Sequence, residues 1–395
     1  MAETSSDAFL QGRGVPVPLA RIDETLEDLW GPAVARAGGP ELENPTASRV
    51  VLANLVVERL TPETGTLRPV IEAVVGRFPC RAIVIRESDD QERKVSAEVS
   101  AVCPACAPQA NGEPRVGSER IVLRAGPQAL DLLPGAVRSS LETGLPMVLW
   151  WTTDPTAHEK LYRDLAAESN RVMLDLPDPG ASVAALKLGL APAAGRCVRD
   201  AVWYGMIHWR ELAARLFDHP DHHAILRRID AATITALSPD PAAPPRLALW
   251  LGAWLAGQLG WEREGTPELS ADGAGSIFKA RLRGPAGPIA LEFRTEPTPA
   301  DLAATPRILG VSLAAAGDRG VETYQLHRSE PASPDVRILV EAEDYCRLPS
   351  TVHAETPTPA QRVATALEFS RFDPPFEKAA PFLLWLLEHA QAKRP

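Results

Sequence analysis

Apolar positions follow two alternating rhythms in the first half of the chain. Ile22, Leu26, Leu29 and Trp30 recur at spacings of three and four, which predicts a helix over 24–37. Val50-Val-Leu-Ala-Asn-Leu-Val-Val57 is a nearly continuous apolar run bounded by turn residues, the pattern of a buried strand. Leu67, Ile71, Val74 and Val75 form one helical face that stops at Gly76, and 81–86 is a second strand. Two further strands, 94–102 and 119–123, flank a loop rich in Pro, Gly and Asn. A helix over 129–141, a strand over 147–151, a helix over 158–167 and a strand over 171–175 complete the series. Strands alternating with helices predict an α/β domain, because parallel strands need crossovers. The hairpin-like pair makes its sheet mostly parallel or mixed.

The second half has another rhythm. Residues 178–200 read as a connector holding a helical stretch at 182–190. Helical segments follow at 209–217 and 247–259, then strand candidates at 276–283, 289–294, 307–313, 321–327 and 336–343. A helical region over 359–394 is broken at Pro374-Pro375. Helices, a run of strands and a closing helix predict an α+β domain with an antiparallel sheet. The expected organisation is a tail over 1–20, an N-terminal α/β domain over 21–190 and a C-terminal α+β domain over 200–395.

Composition narrows the function classes. A chain of 395 residues suits two domains, and 45% hydrophobic with 23% charged residues excludes disorder throughout. Against 51 Asp+Glu stand 41 Lys+Arg, a net charge of −10 that disfavours general nucleic-acid or anionic-membrane binding. The most apolar stretch, 247–261, is shorter than the roughly 20 residues that span a bilayer. The opening Met1-Ala-Glu-Thr-Ser-Ser-Asp7 lacks a basic segment followed by an apolar one, so a cytoplasmic location is expected.

The commonest catalytic signatures are missing from the sequence. Gly12-Arg-Gly14 has no third glycine and follows no strand, and Gly310-Val-Ser312 lacks the closing glycine of a nucleophile elbow. Asp218-His219-Pro220-Asp221-His222-His223, after His208 and Glu211, is the densest cluster of metal-ligand types. Adjacent histidines point different ways on most backbones, so a polar loop accounts for it and no metal site is expected. Cys103-Pro104-Ala105-Cys106 is a CxxC that could be a pair of structural thiols, a reversible disulfide or half a zinc site. Arg77, Arg81 and Arg86 suit either a plain surface or a phosphate. Tryptophans cluster at Trp150-Trp151, at Trp203 with Trp209, and at Trp250, Trp254 and Trp261. Large indoles either fill a core or anchor an interface. Trp203, Tyr204, Trp209, Arg210 and Glu211 are the densest group of anchor-type residues and the candidate partner surface.

Read together, several segments resemble the glucose-6-phosphate dehydrogenase assembly family, OpcA. They are Asn54-Leu-Val-Val57, Arg77-Phe-Pro79-Cys80-Arg81-Ala-Ile-Val84, Glu119-Arg-Ile121 and Leu145-Pro146 leading into Leu149-Trp150-Trp151. Asp200 with Trp203, Trp209-Arg-Glu211, Gly252-Ala-Trp254-Leu255 and Leu259-Gly-Trp261 continue the order. The resemblance implies a non-catalytic assembly factor or allosteric activator of glucose-6-phosphate dehydrogenase. Such a partner would promote the active oligomer and flux into the oxidative pentose phosphate pathway, with no cofactor of its own. It also implies that Cys103 and Cys106 are candidates for redox control. The alternative is an α/β enzyme or sensor of a phosphorylated small molecule, with Arg77 and Arg81 clamping the phosphate.

Overall fold

The structure is a computed structural model describing residues 13–37, 47–60, 67–102, 115–178, 181–191, 197–303, 305–316, 320–342, 345–368 and 373–392. The chain divides into two compact units, and not at a single point. Residues 1–176, 191–201 and 359–371 make the first; 177–190, 202–358 and 372–395 make the second. The expected single break between 190 and 200 is thus replaced by an exchange of segments, including a C-terminal helix returned to the first unit.

Nine strands of the described residues form the sheet of the first unit: β1 (Val15–Val17), β2 (Ala47–Arg49), β3 (Asn54–Arg59), β4 (Arg81–Glu87), β5 (Val95–Val102), β6 (Arg115–Ala125), β7 (Met147–Trp151), β8 (Arg171–Leu174) and β9 (Cys197–Asp200). The six strands β6-β4-β3-β7-β8-β9 run parallel in that order. Relabelled by chain order this is 3-2-1-4-5-6, the doubly wound order of dinucleotide-binding folds, with its reversal between β3 and β7. Antiparallel β5 pairs with β6 and β1 with β5, so the sheet is mixed, as the hairpin-like pattern predicts. Leu55, Val56 and Val57, with Ala82, Ile83 and Val84, are buried on both faces, which is why these strands read as continuous apolar runs.

Eight strands of the described residues form the sheet of the second unit: β10 (Ile229–Ser238), β11 (Glu262–Asp272), β12 (Gly275–Gly284), β13 (Gly287–Pro297), β14 (Arg307–Ala316), β15 (Val321–Arg328), β16 (Asp335–Ala342) and β17 (Tyr345–His353). Every pairing is antiparallel except β10 with β13. Alternation is plain on β12, where Phe278, Ala280 and Leu282 are buried and Lys279, Arg281 and Arg283 exposed. The helix Arg246–Leu259 lies against the apolar face, so close that a Cβ on Gly252 would fall 2.5 Å from the Phe293 ring. The last helix, Pro374–Ala392, packs beside it.

The expected fold class is therefore the observed one, but six strands of the described residues escape the periodicity. β1 lies in the stretch 1–20 expected to be a tail, and β2 is a three-residue strand before the apolar run that begins at Val50. β9 lies in the stretch read as a connector. β10 is rich in alanine and threonine, which blurs a period of two. β11 is an exposed edge strand whose pairing with β12 defines it, and it offers little apolar alternation. β17 contains Pro349, tolerated because this strand too is an edge. Among the described residues no helix is long and apolar enough to cross a membrane.

Candidate functional site

The parallel register of the first unit brings three distant polar residues to one rung. Asn54 on β3 pairs with Arg81 on β4, and Arg81 with Glu119 on β6. All three are fully or almost fully buried at the edge where the parallel strands begin. Arg81 Nε donates to Glu119 Oε2 at 2.9 Å, and Nη1 donates to Asp23 Oδ1 at 2.8 Å and to the Ser140 carbonyl at 3.1 Å. Its Nη2 pairs with Glu142 Oε2 at 2.8 Å. Trp30 Nε1 donates to the other oxygen of Glu119 at 3.0 Å. Asn54 holds the loop before β7 in place, accepting from the Glu142 amide at 2.7 Å and donating to the Glu142 carbonyl at 3.0 Å.

The other family-motif residues of this unit divide between core and surface. Arg77 is exposed and makes a forked pair with Glu368 at 3.0 and 3.4 Å; Pro79 is half-buried. Burial pushes the Cys80 thiol up to about 12, so it stays protonated and unreactive near neutral pH. Trp150 and Trp151 are core residues. Trp150 Nε1 donates to Asp175 Oδ2 at 3.3 Å, and Trp151 meets Tyr162 edge-on at 5.1 Å. Cys103 and Cys106 lie outside the described residues. Cys197, like Cys80, is buried.

In the second unit, Trp203, Tyr204 and Trp209 are buried, which places these rings in a core rather than on a docking surface. Trp203, Trp250 and Phe376 form an aromatic cluster with centroids 4.9–5.3 Å apart. Such contacts add about 0.5–1.5 kcal/mol each beyond area burial. Trp203 Nε1 donates to Asp373 Oδ2 at 3.0 Å, while Asp373 Oδ1 accepts from the Phe376 amide at 3.1 Å and caps the last helix. Arg210 lies half-buried with its guanidinium carbon 3.9 Å from the Trp203 ring centroid. Burial pulls its pKa down to about 10, with Asp373 opposing that shift. Trp209 lies 5.5 Å from the Arg328 guanidinium, which clamps the Ile308, Ser333 and Ala354 carbonyls. Glu211 is exposed beside His208 at 3.5 Å, and Trp254 is half-buried.

Two residues missed by sequence reasoning hold key positions. Glu58 ends the apolar run of β3 as a fully buried carboxylate, and an acid closing such a run is a readable signal. Asp373 before Pro374-Pro375 is likewise an N-cap followed by proline at the first helical position. The first unit holds a cavity of about 360 Å³ lined by Leu130, Asp131, His158, Lys160 and Asp164, among others, and a smaller one. The smaller, of about 220 Å³, is lined by Leu52, Phe78, Val148 and Arg171, but Arg171 already donates to the Ala366 and Leu367 carbonyls. Around 218–223, His222 is buried with Nδ1 3.2 Å from the Leu216 carbonyl. No group of three or more metal-ligand side chains comes together among the described residues.

Comparison with known proteins adds to this geometry. Residues 71–188 match the family described as glucose-6-phosphate dehydrogenase subunit N-terminal domain, and residues 196–380 match the corresponding C-terminal domain. A protein of Nostoc punctiforme with the provisional name OxPP cycle protein OpcA is 32% identical over 196 residues, 49% of this chain and 40% of that protein. Its namesake in Synechococcus elongatus is 30% identical over 188 residues, 47% of this chain and 40% of its own length. The matched stretch therefore spans well under half of either relative. Among solved structures, a dehydrogenase from Chromobacterium violaceum superposes with a TM-score of 0.48 at 10% identity, over 87% of this chain and 96% of that one. Apo scyllo-inositol dehydrogenase from Lactobacillus casei gives 0.44 at 10% identity, over 87% and 96%. Likenesses this loose carry no argument about activity.

Two substitutions test the geometry. Arg81→Met leaves Glu119 buried without its cation and should cost about 3–5 kcal/mol, part of which Glu119→Leu should restore in the double variant. Urea unfolding followed by tryptophan fluorescence reads both. Arg210→Ala removes a cation from the Trp203 face and should lower stability by about 1–2 kcal/mol, read as a lower thermal midpoint. A variant with unchanged stability but weakened affinity for a partner would instead make Arg210 a docking contact.

Proposed function

The chain belongs to the glucose-6-phosphate dehydrogenase assembly family, OpcA, and on that footing we propose that it is a non-catalytic partner of glucose-6-phosphate dehydrogenase. It binds the active oligomer of that enzyme more tightly than the inactive forms and so shifts the population toward activity. The consequence is greater flux into the oxidative pentose phosphate pathway. The observation that carries this reading is the family match across two consecutive stretches, 71–188 and 196–380. The geometry agrees with it. Residues that carry the resemblance mostly build cores: Asn54, Arg81 and Glu119 fix one sheet, and Trp203 with Trp209 fill the other unit. A scaffold that presents a surface needs this arrangement, whereas an active site needs convergent polar groups in a cleft.

The alternative, an enzyme or sensor of a phosphorylated small molecule, gains less support. Arg81 is ringed by Asp23, Glu119 and Glu142, and three carboxylates around one guanidinium repel a phosphate. Arg77 is paired with Glu368 at the surface.

The test is a kinetic titration. Purified chain alone should turn over no glucose 6-phosphate with either nicotinamide cofactor. Added to the dehydrogenase of its own host, it should raise activity or lower the apparent KM saturably. Turnover by the isolated chain, or a flat titration, would contradict the proposal.

A further inference from the structure

The strand order of the first unit implies a dinucleotide site, and its location is fixed by topology. In doubly wound sheets the ligand lies beyond the carboxyl ends of the strands where the order reverses. Here that place is between β3 and β7. The residue there is Glu58, level in register with Trp151 on β7 and Ile85 on β4.

The residues present do not fit a dinucleotide. The Glu58 side chain is fully buried and turned back on the strand ends. One carboxylate oxygen accepts from the Leu60 amide at 2.7 Å. The other accepts from the Thr152 and Thr153 amides, both at 3.2 Å. Thr152 Oγ1 donates to the Glu58 carbonyl at 2.8 Å, which ties the β3 and β7 ends together. Backbone amides in the turn after the first parallel strand are the donors by which such folds hold the anionic parts of a ligand, and here the Leu60 amide of that turn is joined by the Thr152 and Thr153 amides across the switch point. In this chain a carboxylate of the protein takes them. A pyrophosphate brought to the same place would face a buried acidic group of like sign and donors already engaged. The sequence after β3 agrees: Leu60-Thr-Pro-Glu-Thr-Gly-Thr66 holds one glycine where the phosphate-binding fingerprint needs three.

We infer that Glu58 is a built-in phosphate substitute: its carboxylate occupies the switch point of the first unit and closes that unit to NAD(P)-type dinucleotides. The inference rests on this crevice alone and stands whether or not the chain activates a dehydrogenase.

Full-length protein, Glu58→Gln and Glu58→Ala are titrated with NADPH by fluorescence and melted with and without inorganic pyrophosphate. The unaltered protein should show no saturable NADPH signal up to about 1 mM. Both variants should melt lower, since an amide or a methyl leaves at least one buried N–H without its acceptor. Pyrophosphate should raise the midpoint of Glu58→Ala and leave the unaltered protein unmoved. If Glu58→Ala does not fold, Glu58→Gln takes its place in the pyrophosphate arm. Saturable NADPH binding by the unaltered protein overturns the inference. So do variants that melt with the unaltered protein, or a variant on which pyrophosphate has no effect.

Discussion

The first unit depends on burying one guanidinium. Arg81 is almost entirely removed from water and reaches Asp23, Glu119, Glu142 and the Ser140 carbonyl. Desolvating a cation is costly, and only a complete set of partners offsets it. Those partners come from the first helix, Ile22–Ala37, from β6 and from the segment before β7, so the side chain is satisfied only when all of them are in place. A slip of one residue along β4 would turn Arg81 to the opposite face and strand Glu119. The pair therefore specifies register more than it adds stability. Asn54, one strand over on the same rung, does the same for the loop that delivers β7.

The opposite edge of the sheet is closed by a second buried acid. Glu58 joins the ends of β3 and β7 through backbone amides, much as Arg81 joins β4 to β6 at their beginnings. Both ends of the parallel strands, including the carboxyl ends where such folds place their ligands, are thus fixed by internal pairing. The second unit uses aromatic packing to a similar end. Asp373 both caps the last helix and anchors the Trp203 indole, and Arg210 covers that indole's face.

Much of this was legible in the sequence. The apolar runs of β3, β4 and β7 marked strands, and the helices between them announced a parallel sheet because parallel strands need crossovers. In the second half the order of elements, helices then a run of strands then a helix, announced the antiparallel sheet. Arg81 and Glu119 stood out through family resemblance, but their partnership did not, since pairing between residues 38 apart follows from register and not from local pattern. Tryptophans near Arg210 looked like anchors because hot-spot composition and core composition overlap in indoles; burial decides between them. β11 escaped because a strand exposed on both faces has no apolar period to read. Segment exchange between the units was invisible for the same kind of reason: the helix Pro359–Glu368 shows an apolar face, but its sequence does not say which unit that face joins.

The account centres on a scaffold that acts by binding the dehydrogenase. Sedimentation velocity of the dehydrogenase, the chain and their mixture tests this directly. The account predicts that the two co-sediment as one species and that the dehydrogenase's larger oligomer grows in proportion to added chain. Independent sedimentation, with the oligomer distribution unchanged at every ratio, would contradict it.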